Sequence, residues 1–191
     1  MKSHSNDTLT HARGFFLHAS AILSSEGVVL FLGHSGSGKS TISSLLADNF
    51  EILRDDSVYL LPGENDRWYV NLGFDTKDRH FKTRTGSPVC LEDIASLYPL
   101  HTIVRIFGAE YSEVAPLQPM KLCEYLMDAV FEITHQRKSR DIVMEQQWFT
   151  KSAQIARKYP GWQLQFTRNA TDVLLQFEKM NISVTFIGNS N

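Results

Sequence analysis

Apolar positions fall into short runs that alternate with helical and irregular stretches. Residues 15–23 (FFLHASAIL) predict a first strand and residues 24–27 a turn. The run VVLFL at residues 28–32 is apolar at every position, as in a strand buried on both faces. Glycine-rich sequence follows it, and from Lys39 onward Ile42, Leu45, Leu46 and residues 49–50 recur at helical spacing. Residues 51–54 then predict a strand ending at Asp55 and Asp56, which completes a β-loop-α-β unit.

Beyond it, residues 57–61 and 68–72 flank the turn Pro62-Gly63-Glu64-Asn65-Asp66 and predict a hairpin. Residues 75–86 lack periodicity and carry Lys77, Arg79, Lys82 and Arg84, so they read as an exposed basic loop. Residues 100–107 predict a strand. Residues 119–133 predict an amphipathic helix through Leu122, Leu126, Met127, Val130 and Phe131. Helix is expected over 142–157, strand over 162–166, helix over 172–179 and a last strand over 182–187. The polar residues 1–13 read as a flexible arm, and residues 14–191, without repeats or a low-complexity linker, as a single α/β domain.

Composition narrows the function classes. Of 191 residues, 42% are hydrophobic and 21% charged, as in an ordinary globular chain. The 19 Lys and Arg against 21 Asp and Glu give a net charge of -2, which provides no global basic field for nucleic acid or an anionic membrane surface. Cys90 and Cys123 have no neighbours at metal-ligand spacing, so neither a disulfide framework nor a zinc site is expected, and a reducing cytoplasm fits. Residues 28–32, the longest apolar run in the first part of the chain, are far too short to span a bilayer.

The chemistry concentrates in Gly33-His34-Ser35-Gly36-Ser37-Gly38-Lys39-Ser40-Thr41, which matches G-x-x-x-x-G-K-[ST] in full. Glycines at these positions let backbone N–H groups turn inward as an anion nest, and a helix starting at Lys39 adds its positive dipole end. Lys39 is expected to reach the β- and γ-phosphates of a nucleotide, Ser40 to coordinate Mg²⁺, and Thr41 to bond near the α-phosphate. The nucleotide-binding set is therefore Gly33, Ser35, Gly36, Ser37, Gly38, Lys39, Ser40 and Thr41. A plain Gly/Ser-rich turn capping a helix is the competing reading, but it has no need of Lys followed by Ser. Asp55 and Asp56 end the following strand, where ligands sit in α/β sheets. One carboxylate could hold the metal while the other takes a proton from a hydroxyl substrate. His34 lies at a variable position of the loop and is expected to be exposed, without a catalytic role.

The ordered set LHAS (residues 17–20), VVLFLGHSGSGKST (28–41) and ILRDDSVYL (52–60) resembles the core of the HPr kinase/phosphorylase family and its kinase relatives. The resemblance implies a phosphoenolpyruvate carboxykinase-like P-loop fold, α/β with a mixed sheet and flanking helices. In that family a histidine stands on the strand before the loop, here His18, and an aspartate pair ends the strand after its helix, here Asp55 and Asp56. The implied activity is a Mg-ATP-dependent kinase acting on a serine or other hydroxyl of a protein, peptide or small molecule. Catalytic candidates are Asp55, His18 and Lys39, with Asp55 or its neighbour as base and Ser40 with Asp56 around the metal. The chain resembles the short relatives, which lack the additional domain ahead of this core, and it lacks the downstream segment that supports the reverse, phosphorylase reaction. Self-association is a further expectation from the family. The alternative is a nucleotide-binding regulatory protein that keeps the loop and transfers little phosphate.

Overall fold

A computed structural model describes residues 14–72, 97–134 and 142–183. The expected arm, the basic loop at 75–86 with Arg79 and Arg84, Cys90, and the basic residues Arg137, Lys138 and Arg140 lie outside the described residues.

The first two strands, β1 (Phe15–Ser24) and β2 (Gly27–Leu32), form a tight antiparallel hairpin in which Ser24 faces Gly27. Helix α1 (Lys39–Leu46) follows, and β3 (Glu51–Arg54) returns to pair with the distal half of β1. The proximal half of β1 pairs instead with β4 (Ser57–Pro62), which continues through a 3-10 turn into β5 (Trp68–Asn71). Strand β6 (Leu97–Gly108) starts antiparallel to β5, runs parallel to β2, and ends parallel to β8 (Gly161–Phe166). Edge strand β7 (Glu113–Pro116) pairs antiparallel with β8. The path from β2 through β1, β4, β5 and β6 thus returns to β2. The long strand β6 allows this closure, because it pairs with β5 through Leu97–Pro99 and with β2 from Leu100 onward, with one extra residue, His101, between the partners of Val28 and Val29.

The architecture is a mixed sheet with flanking helices, as expected. Helices α2 (Pro119–Thr134) and α3 (Ile142–Lys158) cover one face, where Leu122, Leu126, Val130 and Ile155 pack on Leu17, Leu30 and Ile103. On the other face α1 and α4 (Ala170–Lys179) bring Ile42, Leu46, Val173 and Phe177 onto Val29, Phe31, Val104 and Leu164. Strand β2 lies between the two cores with all six residues buried, which is why its sequence shows no alternation.

Departures from the sequence reading are local. Strand β7 went unread because its four residues include a proline and are mostly exposed. Helix α1 stops at Leu46, short of residues 49–50. Helix α4 begins two residues before the expected 172, since the Asn169 side chain caps it by accepting from the Thr171 N–H at 2.9 Å. Of the strand expected over 182–187, only Ile182 and Ser183 are described, and they are irregular. Among the described residues no helix is long and apolar enough to cross a membrane.

Ser183 ties the end of α4 to the β1–β2 turn, its N–H donating to Glu26 Oε2 at 3.2 Å. Partial burial works against the Glu26 charge, but hydrogen bonds from Ser183 and Ser25 outweigh it and hold the carboxyl at about 2, down from 4.5. A folded-state value below the unfolded one contributes stability that is present above pH 4.5 and is lost as pH falls through 2. Glu26→Gln should therefore unfold more easily than wild type near neutrality, with the difference vanishing towards pH 2; denaturant titrations at several pH values check this.

Candidate functional site

The glycine-rich loop occupies residues 33–38, between the carboxyl end of β2 and the start of α1. Gly36 and Gly38 have φ of 80° and 101°, a region that glycine alone enters without strain. Gly38 is also the N-cap of α1, and a Cβ there would sit 2.8 Å from the Phe166 ring. At Gly33 a Cβ would collide with the Ser37 side chain. Gly38→Ala should lower the unfolding free energy by about 1–3 kcal/mol through left-handed strain and displacement of Phe166. A thermal melt reads this directly.

Lys39 is 7% exposed, and its ammonium is folded back on the loop. Nζ donates to the Gly33 carbonyl at 2.6 Å and to the His34 carbonyl at 3.1 Å. Burial pushes its proton affinity down and Glu132 and Asp56 pull it back up, with a net lowering. Beside it, the Ser37 Oγ is buried and has no hydrogen-bond partner among the described residues. Ser35 and Ser40 are exposed, and Thr41 is half-buried on the first turn of α1.

His18 stands on β1 opposite Ser57, so the fold places it next to the aspartate pair. Its Nδ1 donates to the Asp56 carbonyl at 3.0 Å and lies 3.4 Å from Asp56 Oδ1. The structure thus brings His18, Asp56 and the Lys39 loop to one end of the sheet. Asp55 is exposed and makes no side-chain hydrogen bond or ion pair among the described residues, though its charge is felt at Lys39.

Two participants escaped the sequence reading. Glu132, near the end of α2, accepts from His34 Nδ1 at 2.6 Å and lies 3.4 Å from His18 Nε2. It joins α2 to both the loop and β1, and it pins the exposed ring of His34. Arg105 on β6 is the second, and its signal was a cation inside the otherwise apolar run IVRIF. Among the described residues no group of three or more His, Cys, Asp or Glu is arranged to hold a metal ion. Ser40, on the first turn of α1, and Asp56, beside His18, carry oxygen donors of the kind a hard cation such as Mg²⁺ takes together with phosphate oxygens and water.

These features define a mixed α/β protein whose glycine-rich strand-loop-helix turn is ringed by a lysine, two histidines and carboxylates. The family described as "SynChlorMet cassette protein ScmC" matches residues 6–171, and the chain belongs to that family. No curated protein matches the chain. Among solved structures, the HPr(Ser) kinase/phosphatase from Coxiella burnetii is similar at 15% identity, covering 87% of this chain and 94% of that one with a TM-score of 0.40.

Proposed function

We propose that the chain is a Mg-ATP-dependent phosphotransferase that moves the γ-phosphoryl group to a hydroxyl of a protein, peptide or small molecule. The observation that carries the reading is the loop itself. Two positive-φ glycines, a helix start and a buried lysine ammonium meet at the carboxyl end of a central strand, and all three favour phosphate. The match of residues 33–40 to the phosphate-loop pattern and the resemblance of residues 17–60 to HPr kinase relatives support it from the sequence.

In this reading Gly33, Ser35, Gly36, Ser37, Gly38 and Thr41 line the phosphates, and Lys39 leaves its two carbonyls to meet the β- and γ-oxygens. Ser40 and Asp56 would hold Mg²⁺, which would supply charge neutralisation at the phosphates. Asp55 accepts the proton of the acceptor hydroxyl as that oxygen bonds to the γ-phosphorus and the bond to the β-phosphate oxygen breaks, releasing ADP. His18 orients Asp56 through its carbonyl and carboxylate contacts.

Exposure of Asp55 and of the Asp56 side chain, 77% accessible, favours a second reading in which the site binds nucleotide as a regulatory signal without efficient transfer. Following γ-labelled ATP separates the two. Label on serine-containing peptides or hydroxyl compounds supports the transferase, and binding without label transfer supports the regulator.

A further inference from the structure

Arg105 is only 4% exposed, yet among the described residues it forms no ion pair, and its Nε is buried without a hydrogen-bond partner. The guanidinium lies over the rings of Phe107 and Tyr125, 5.0 and 4.8 Å from their centroids. Removing a cation from water is costly unless an anion or hydrogen-bond acceptors compensate, and two aromatic faces offset only part of that cost.

Its position gives the charge a use. Arg105 is the register partner of Leu32, the last residue of β2, in the parallel β2–β6 pair. Neighbouring strands lie about 4.8 Å apart, so the Arg105 backbone stands beside the residue that leads into Gly33. The Gly33 carbonyl in turn holds the Lys39 ammonium at 2.6 Å. The two buried cations are thus carried by neighbouring parts of the fold, near enough for the charge of Arg105 to disfavour the protonated form of Lys39. Asp128 and Glu132, on the face of α2 that carries Tyr125, offset part of the cost of burying Arg105, and Glu132 does the same at Lys39. A polyanion near both cations relieves them together, and a guanidinium whose Nε has no acceptor matches phosphate oxygens by its planar fork.

We propose that Arg105 binds the terminal phosphate oxygens of the nucleotide held by the Lys39 loop, so that it distinguishes a nucleoside triphosphate from a diphosphate. The inference rests on the nucleotide-binding reading of that loop and adds a specificity residue to it.

Titration calorimetry of the full chain with Mg-ATP, Mg-ADP and orthophosphate tests it on wild type, Arg105→Met and Arg105→Lys. Wild type should favour Mg-ATP over Mg-ADP. Arg105→Met should weaken Mg-ATP about ten- to a hundredfold and leave Mg-ADP unchanged, the size expected for hydrogen bonds to a charged group. Arg105→Lys, which keeps the charge without the fork, should lose an intermediate amount. Methionine fills the space between the two rings, so a purely structural arginine would tolerate it with affinities unaltered. Near-ultraviolet circular dichroism reports folding, and if the methionine variant does not fold, the lysine variant decides alone. Equal losses for ATP and ADP, no loss, or a loss confined to orthophosphate overturns the proposal while nucleotide binding stands. Wild type that binds neither nucleotide overturns the underlying reading, and the inference with it.

Discussion

Asp55→Asn should slow phosphoryl transfer by about 10²–10⁴-fold while leaving Mg-ATP affinity nearly intact, the size expected when a general base is removed. In the proposed reading Asp55, exposed and without a side-chain partner among the described residues, meets the incoming hydroxyl, whereas Asp56 is engaged by His18 through both its carbonyl and its carboxylate. Asp56→Asn should accordingly weaken the Mg²⁺ dependence of nucleotide binding as well as the rate. Single-turnover transfer and equilibrium binding, measured on both variants, separate the two roles. Identical profiles for the two would reject this division of labour.

The second large effect concerns the platform under the loop. Phe177 of α4 is fully buried, its ring 6.2 Å from Phe31 on β2 and 5.5 Å from Phe50 after α1. It shares a core with Ile42 and Leu46 of α1, so that one cluster backs both elements at the ends of the glycine-rich turn. Phe177→Ala should cost about 3–5 kcal/mol through lost burial and the remaining cavity. For a chain of this size the thermal midpoint should fall by about 10 °C or more. Phe177→Leu, which leaves a smaller void, should lose much less. A melt of the three proteins reads the series, and an alanine variant as stable as wild type would mean that this core does not support the loop.

Local chemistry made the strand-loop-helix unit legible in the sequence. VVLFL has nowhere to lie but between two cores, and the glycines that follow coincide with the positive-φ positions at Gly36 and Gly38. The aspartate pair was legible as a candidate because it closes the strand that follows that unit, and His18 only through the resemblance of residues 17–20 to the kinase family. Their contact, however, depends on β1 pairing with β4, a register that hydrophobic pattern does not specify. Glu132 was beyond reach for a related reason. It meets His34 across 98 positions, and on an amphipathic helix a glutamate reads as one more solvent-facing charge. Arg105 did leave a trace, because a cation inside an apolar strand run must find company when both faces are covered. Short, proline-bearing β7 left none.

The proposed function requires that residues 33–41 bind the phosphates of a nucleotide through Lys39. Its most direct test is the thermal midpoint of wild type and Lys39→Ala, each with and without Mg-ATP. Ligand at a hundred times its dissociation constant adds about 2.7 kcal/mol to wild type, a rise of several degrees. Comparing each protein with its own ligand-free midpoint removes the cost of leaving the Gly33 and His34 carbonyls without their donor. The midpoint should rise clearly for wild type and not at all for Lys39→Ala. A wild-type midpoint indifferent to Mg-ATP, or an equal rise in both proteins, would contradict the proposed function.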